Sequence, residues 1–189
     1  MRNDRRVIIL TVLTIVIGCS GIQVSQDYDL SREFSGLKTY DRQSGTHQKT
    51  GDVRVDNPLL DARIRKAVDR CLLEKGYQRI LRGTPDFYVA YQYSIRSKIR
   101  SDTVHTGVGF GVGGYGRDGG IGVSTGSDIR EYDEGMLVID IVGAGTGDLL
   151  WRGTGTGYVS QHSDPEKTTA IVNETVDKIL VQFPPQPKR

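Results

Sequence analysis

Asp86-Phe87-Tyr88-Val89-Ala90-Tyr91-Gln92-Tyr93-Ser94-Ile95 is the stretch that decides the fold. Phe87, Val89, Tyr91, Tyr93 and Ile95 alternate with other residues, which predicts a long strand with one apolar face running on to about Ile99. Glu134 to Ile141 is a second such run, with Leu137, Ile139 and Ile141 facing one way. Gly145-Thr146-Gly147-Asp148 then reads as a hairpin turn, and Leu149 to Tyr158 as the return strand, with Trp151 near its start.

Helices flank these strands. Asn57-Pro58 places a capping side chain before a proline that gives up no needed N–H. Leu60, Ile64, Ala67, Val68, Cys71 and Leu72 follow at helical spacing, and Gly76 suits the position just past the helix end. Asp164-Pro165-Glu166 repeats the signature ahead of Thr169, Val172, Val176, Ile179, Leu180 and Phe183. On the amino-terminal side, Ile22 to Asp29 reads as a strand, with Phe34 and Leu37 to Tyr40 as its continuation after a break. Residues 42–54 read as a polar loop, and Tyr77 to Ile80 as a short extended run. The order predicts one α+β domain: a mainly antiparallel sheet with two helices packed on one face, unlike a doubly wound nucleotide fold.

The chain opens on Arg2, Arg5 and Arg6, then an apolar run from Val7 to Ile17 that closes on Val16-Ile17-Gly18-Cys19. That is the layout of a secretory signal, and the run is shorter than the roughly 20 residues needed to span a bilayer. Val-Ile-Gly-Cys resembles the bacterial lipobox. The resemblance implies removal of residues 1–18 and acylation of Cys19, so the membrane is the expected partner, reached through acyl chains. Ser20 after the cysteine, by resemblance to Gram-negative lipoproteins, implies the periplasmic leaflet of the outer membrane.

The chain has 25 basic and 23 acidic side chains, a formal net charge of +2. Arg2, Arg5, Arg6 and Asp4 fall in the leader, so the remainder is balanced. A balanced domain lacks the basic footprint of a nucleic-acid binder and any polybasic membrane patch. Of the two cysteines, Cys71 falls on a helix's apolar stripe and reads as a small buried hydrophobe. With Cys19 lipidated it has no disulfide partner.

Residues 107–126 hold ten of the 24 glycines. Gly109-x-Gly111-x-x-Gly114 matches the dinucleotide fingerprint by spacing, but no helix can start in Arg117-Asp118-Gly119-Gly120. The stretch reads as a loop or a glycine-alternating hairpin. His47, His105 and His162 lack metal-pair spacing, so no metal or cofactor is expected. Asp128, Glu131, Asp133 and Glu134 form the one acidic cluster and read as a solvated start to a strand. Ser124 in Gly122-Val123-Ser124-Thr125-Gly126 echoes a nucleophile elbow without the helix that motif requires. The aromatic run Phe87, Tyr88, Tyr91 and Tyr93 reads as core and cross-strand packing rather than a groove lining.

Together these pieces resemble the DUF4136 domain family of bacterial lipoproteins. The residues that carry the resemblance begin with Cys19-Ser20, Val24-x-x-Asp27-Tyr28-Asp29, Phe34 and Thr39-Tyr40. They continue with Asp56-Asn57-Pro58, Lys75-Gly76-Tyr77 and Pro85-Asp86-Phe87-x-Val89-x-Tyr91. The last are Glu134-Gly135-x-Leu137-x-Ile139-Asp140-Ile141, Leu150-Trp151-Arg152-Gly153 and Phe183-Pro184-Pro185. Asp41-Arg42 departs from the pattern, which has an aromatic soon after Thr39-Tyr40. The resemblance implies a domain over residues 19–185, a short mobile tail at 186–189 and no catalytic residues. The expectation is a non-enzymatic, lipid-anchored binding or structural module of the cell envelope. The alternatives are an envelope hydrolase using Ser124 or the acidic cluster, and a subunit of a larger complex with an envelope protein partner.

Overall fold

The computed structural model describes residues 21–43, 50–102, 128–160 and 164–186. They fold as β1 (Gln23–Tyr28), β2 (Thr39–Arg42), α1 (Pro58–Glu74), β3 (Gln78–Arg79), β4 (Phe87–Asp102), β5 (Asp128–Gly143), β6 (Leu149–Tyr158) and α2 (Pro165–Leu180). The strands form one six-stranded sheet in the order β1-β6-β5-β4-β2-β3.

The α+β class and the mainly antiparallel sheet are as the sequence implies, but the sheet is mixed. β1, β6, β5 and β4 pair antiparallel, whereas β2 is parallel to both β4 and β3. The cause is α1, which carries the chain from the end of β2 back to the start of β3, the crossover that parallel pairing requires. A second correction concerns β2 itself, which does not continue β1. The two lie toward opposite edges of the sheet, because residues 29–38 cross its end. Phe34 anchors the crossing, edge-on to Tyr28 and Phe183 at 6.2 and 6.0 Å. Asp86 then fixes the start of β2 by accepting from the Lys38 and Thr39 amides at 2.9 and 2.7 Å.

Alternate residues of β4 and β5 meet both helices. Phe87, Val89, Leu137, Ile139 and Ile141 share a core with Ile64, Val68 and Leu72 of α1 and Val176, Ile179 and Leu180 of α2. The helix ends follow their sequence signals. The Asn57 side chain accepts from the Leu59 and Leu60 amides, Asp164 accepts from the Lys167 amide, and Gly76 ends α1 at φ +90°. The helices run parallel: Arg63 donates to the Thr169 hydroxyl at 3.0 Å, and one helical stretch further on Arg70 pairs with Asp177 at 2.6 Å.

Two ends of the molecule differ. At one, Phe183 packs among Phe34, Tyr77, Phe87 and Trp151, closing the core with aromatic rings. At the other lie the first turns of both helices, the start of β1 opposite Thr156, and the last residue of β6. β4 and β5 pair from Phe87↔Gly143 to Asp102↔Asp128, a ladder about 50 Å long. β6 follows β5 only from Glu134 to Val142, so the ladder continues past it as a two-stranded ribbon.

Candidate binding cleft

The open end holds a cleft of about 510 Å³. Its walls are the first turns of α1 and the first three turns of α2, and its floor is the helix-facing side of β4 and β5. A cleft of this size suits a small ligand. Its existence follows from the register of small and large residues. Tyr93 faces Gly135, where an added Cβ would lie 2.8 Å from the tyrosine hydroxyl. Further along the sheet, Gly153 and Gly155 of β6 admit α2. A Cβ at Gly153 would lie 2.3 Å from the Trp151 ring and 2.5 Å from Ile179. These glycines let the helix close on the sheet at the core end, while the larger Tyr93, Ile95 and Leu137 line the cleft at its other end.

The polar groups around the cleft are largely committed within the fold. Asn57 caps α1. Thr168 and Thr175 return their hydroxyls to the Asp164 and Ile171 carbonyls of their own helix, at 2.9 and 2.7 Å. Arg54 bridges Asp52 at 2.8 Å and Asp133 at 2.7 Å. Ser97 donates to the other Asp133 oxygen at 2.8 Å. The Ser97 hydroxyl and the Arg54 guanidinium hold the Asp133 carboxyl below the usual carboxylate range. Burial pushes the Tyr93 hydroxyl up. Arg63, half-buried on the α1 wall, is different: its hydrogen bond is to the Thr169 hydroxyl, and no described carboxylate pairs with it.

The acidic cluster needs correction. Asp133 is only 8% exposed and is locked between Ser97 and Arg54, rather than solvated. The cause is Arg54, from the stretch read as a featureless loop, which reaches back over the sheet. Val55 beside it is also buried. Glu134 lies on the other face and pairs with Lys98 at 2.6 Å. Glu131 is exposed, and the Asp128 side chain lies outside the description. The aromatic run divides. Phe87 stacks on Tyr40 in the core at 5.8 Å, the Tyr91 hydroxyl donates to Asp61, and Tyr93 is the one member that lines the cleft. Tyr88 points to the sheet's other side. Cys71 is buried, and burial raises its thiol, as expected of a core residue.

Cys19, His47, His105, His162, Ser124 and the whole glycine-rich stretch 107–126 lie outside the described residues, as do 187–189 of the expected tail. Among the described residues no three His, Cys, Asp or Glu side chains gather as a metal site, and no helix is long and apolar enough to cross a membrane. A second, shallower groove of about 560 Å³ runs along α1 beside β2. Its arginines are matched by carboxylates: Arg42 by Asp69, Arg65 by Asp61, Arg70 by Asp177 and Arg79 by Asp41.

The chain matches the family described as "Domain of unknown function (DUF4136)" over residues 24–185. No curated protein matches the sequence. Among solved structures it is similar to a PDZ domain protein from Parabacteroides distasonis, with a TM-score of 0.52 at 10% identity. That likeness covers 89% of this chain but 38% of the other, so the chain spans well under half of that protein and the likeness is one of fold. A PelC dodecamer from Paraburkholderia phytofirmans is similar at a TM-score of 0.46 and 13% identity, over 84% of this chain and 94% of that one.

Proposed function

We propose a function for the chain from one premise: it belongs to the DUF4136 family. On this reading it is a lipid-anchored cell-envelope protein, held through Cys19 at the periplasmic face of the outer membrane, and it works as a binding module rather than an enzyme. The observation that carries the reading is where β1 starts. β1 begins at Gln23, opposite Thr156, at the same end of the sheet as Tyr158 on the cleft wall. Cys19 lies four residue steps before Gln23, a reach of at most about 14 Å. A lipid on Cys19 would therefore hold this end of the sheet, with its cleft and its projecting β4–β5 ribbon, toward the bilayer. The charge balance adds no second attachment, and two or three acyl chains need none, at about 0.8 kcal/mol per buried methylene.

The non-enzymatic part rests on the acids. Asp133 and Glu134 are engaged by Arg54 and Lys98 in separate ion pairs on opposite faces of β5, so they do not converge on one site. Cys19→Ala tests the tether. The variant is expected in the soluble periplasmic fraction, and its retention on membranes after a high-salt wash contradicts the anchor. A protein partner is a second reading, favoured by β1, an edge strand exposed along all but its last residue. A crosslinker placed at Ser25 should then give one discrete adduct in intact cells, and its absence removes that reading.

A further inference from the structure

We infer that the cleft binds an acyl chain carrying one anionic head, with the chain against the apolar walls and the head on Arg63. The inference rests on the reading of the cleft as the module's binding site. Leu59, Leu60 and Ile64 on α1, Ile171 and Val172 on α2, and Ile95 on the floor present an apolar lining. A peptide or a sugar needs rows of available donors and acceptors. Here the threonine hydroxyls are taken up by their own helix, Asn57 by its cap and Arg54 by two carboxylates. What remains is a mainly apolar slot with the Tyr93 and Tyr158 hydroxyls and one cation, Arg63, that no described carboxylate neutralises. A half-buried arginine of this kind favours a carboxylate or phosphate. The second groove lacks this combination, since its arginines already hold acids. The source follows from the tether proposed above: an acylated Cys19, four residue steps from Gln23, would hold this end toward the bilayer, so we take the ligand to be a membrane lipid.

The test uses the chain carrying Cys19→Ala in detergent-free solution, with radiolabelled oleate, oleyl alcohol and acetate as probes in equilibrium dialysis. Oleate is expected to bind saturably at one site per chain, and acetate not to compete. Arg63→Gln should weaken oleate by about tenfold or more while moving oleyl alcohol by less than about twofold. Lys66→Gln removes an exposed charge on the same helix outside the cleft and should change neither. Leu59→Glu, at a rim position 66% exposed and safe for folding, should weaken both chain-bearing probes. Non-saturable oleate binding, equal oleate affinity in Arg63→Gln, or full competition by acetate each overturns the inference. None of these outcomes bears on the tether, which the Cys19→Ala fractionation decides separately.

Discussion

Single residues set how closely α2 approaches the sheet. Gly153→Ala places a methyl 2.3 Å from the Trp151 ring, a buried position with no slack, and should cost about 1–3 kcal/mol in urea unfolding. Gly145→Ala, in a turn with nothing within 4 Å, should stay within about 0.5 kcal/mol. In Gly153-x-Gly155-x-Gly157, Gly153 and Gly155 leave room for the Ile179 and Thr175 side chains of α2. Which glycines face a helix depends on the register of distant strands, and no local spacing reveals that. Asp133 makes a similar point. Its strand parity is legible, but its burial comes from Arg54, which sits 79 residues away in the chain. Because its native pKa is depressed, Asp133 stabilises the fold above the unfolded carboxylate value and loses that contribution as pH falls below about 4. Asp133→Asn should therefore lower the urea midpoint at about pH 7, with the gap to wild type narrowing as pH falls below about 4. An unchanged gap across that range contradicts the assignment.

At the scale of elements, the sequence is most readable where the signal is local. Both helices begin at an Asn-Pro or Asp-Pro pair, and β6 runs over the residues its alternation marks. Asp164→Ala should cost about 1 kcal/mol by freeing the Lys167 amide. Ile179→Ala, deep between α2 and β6, should cost about 2–5 kcal/mol in the same assay. β2 was the least readable element. It is four residues long, and its partners are chosen by a helical crossover and by Asp86 rather than by its own alternation. Arg42, in the Asp41-Arg42 pair that departs from the family resemblance, is the last residue of β2, where Asp69 of α1 pairs with its guanidinium.

For the whole molecule, the decisive arrangement is the gathering of the start of β1, both helix amino termini and the cleft at one end, opposite the aromatic cluster around Phe183. The strands and helices that build it were legible from alternation and caps. The cleft was not, since it is the space left where α1, α2, β4 and β5, separated in sequence, fail to close. The central claim is that this end faces the membrane. One measurement tests it directly: a fluorophore on Tyr158→Cys, 65% exposed at the cleft, compared with one on Val181→Cys, 70% exposed at the aromatic end, in the lipid-bearing full chain on vesicles. Cys71 is buried and should not compete for label. A quencher dissolved in the lipid should dim the Tyr158 site strongly and leave the Val181 site bright. Equal quenching at both sites, or the reverse order, would contradict the account.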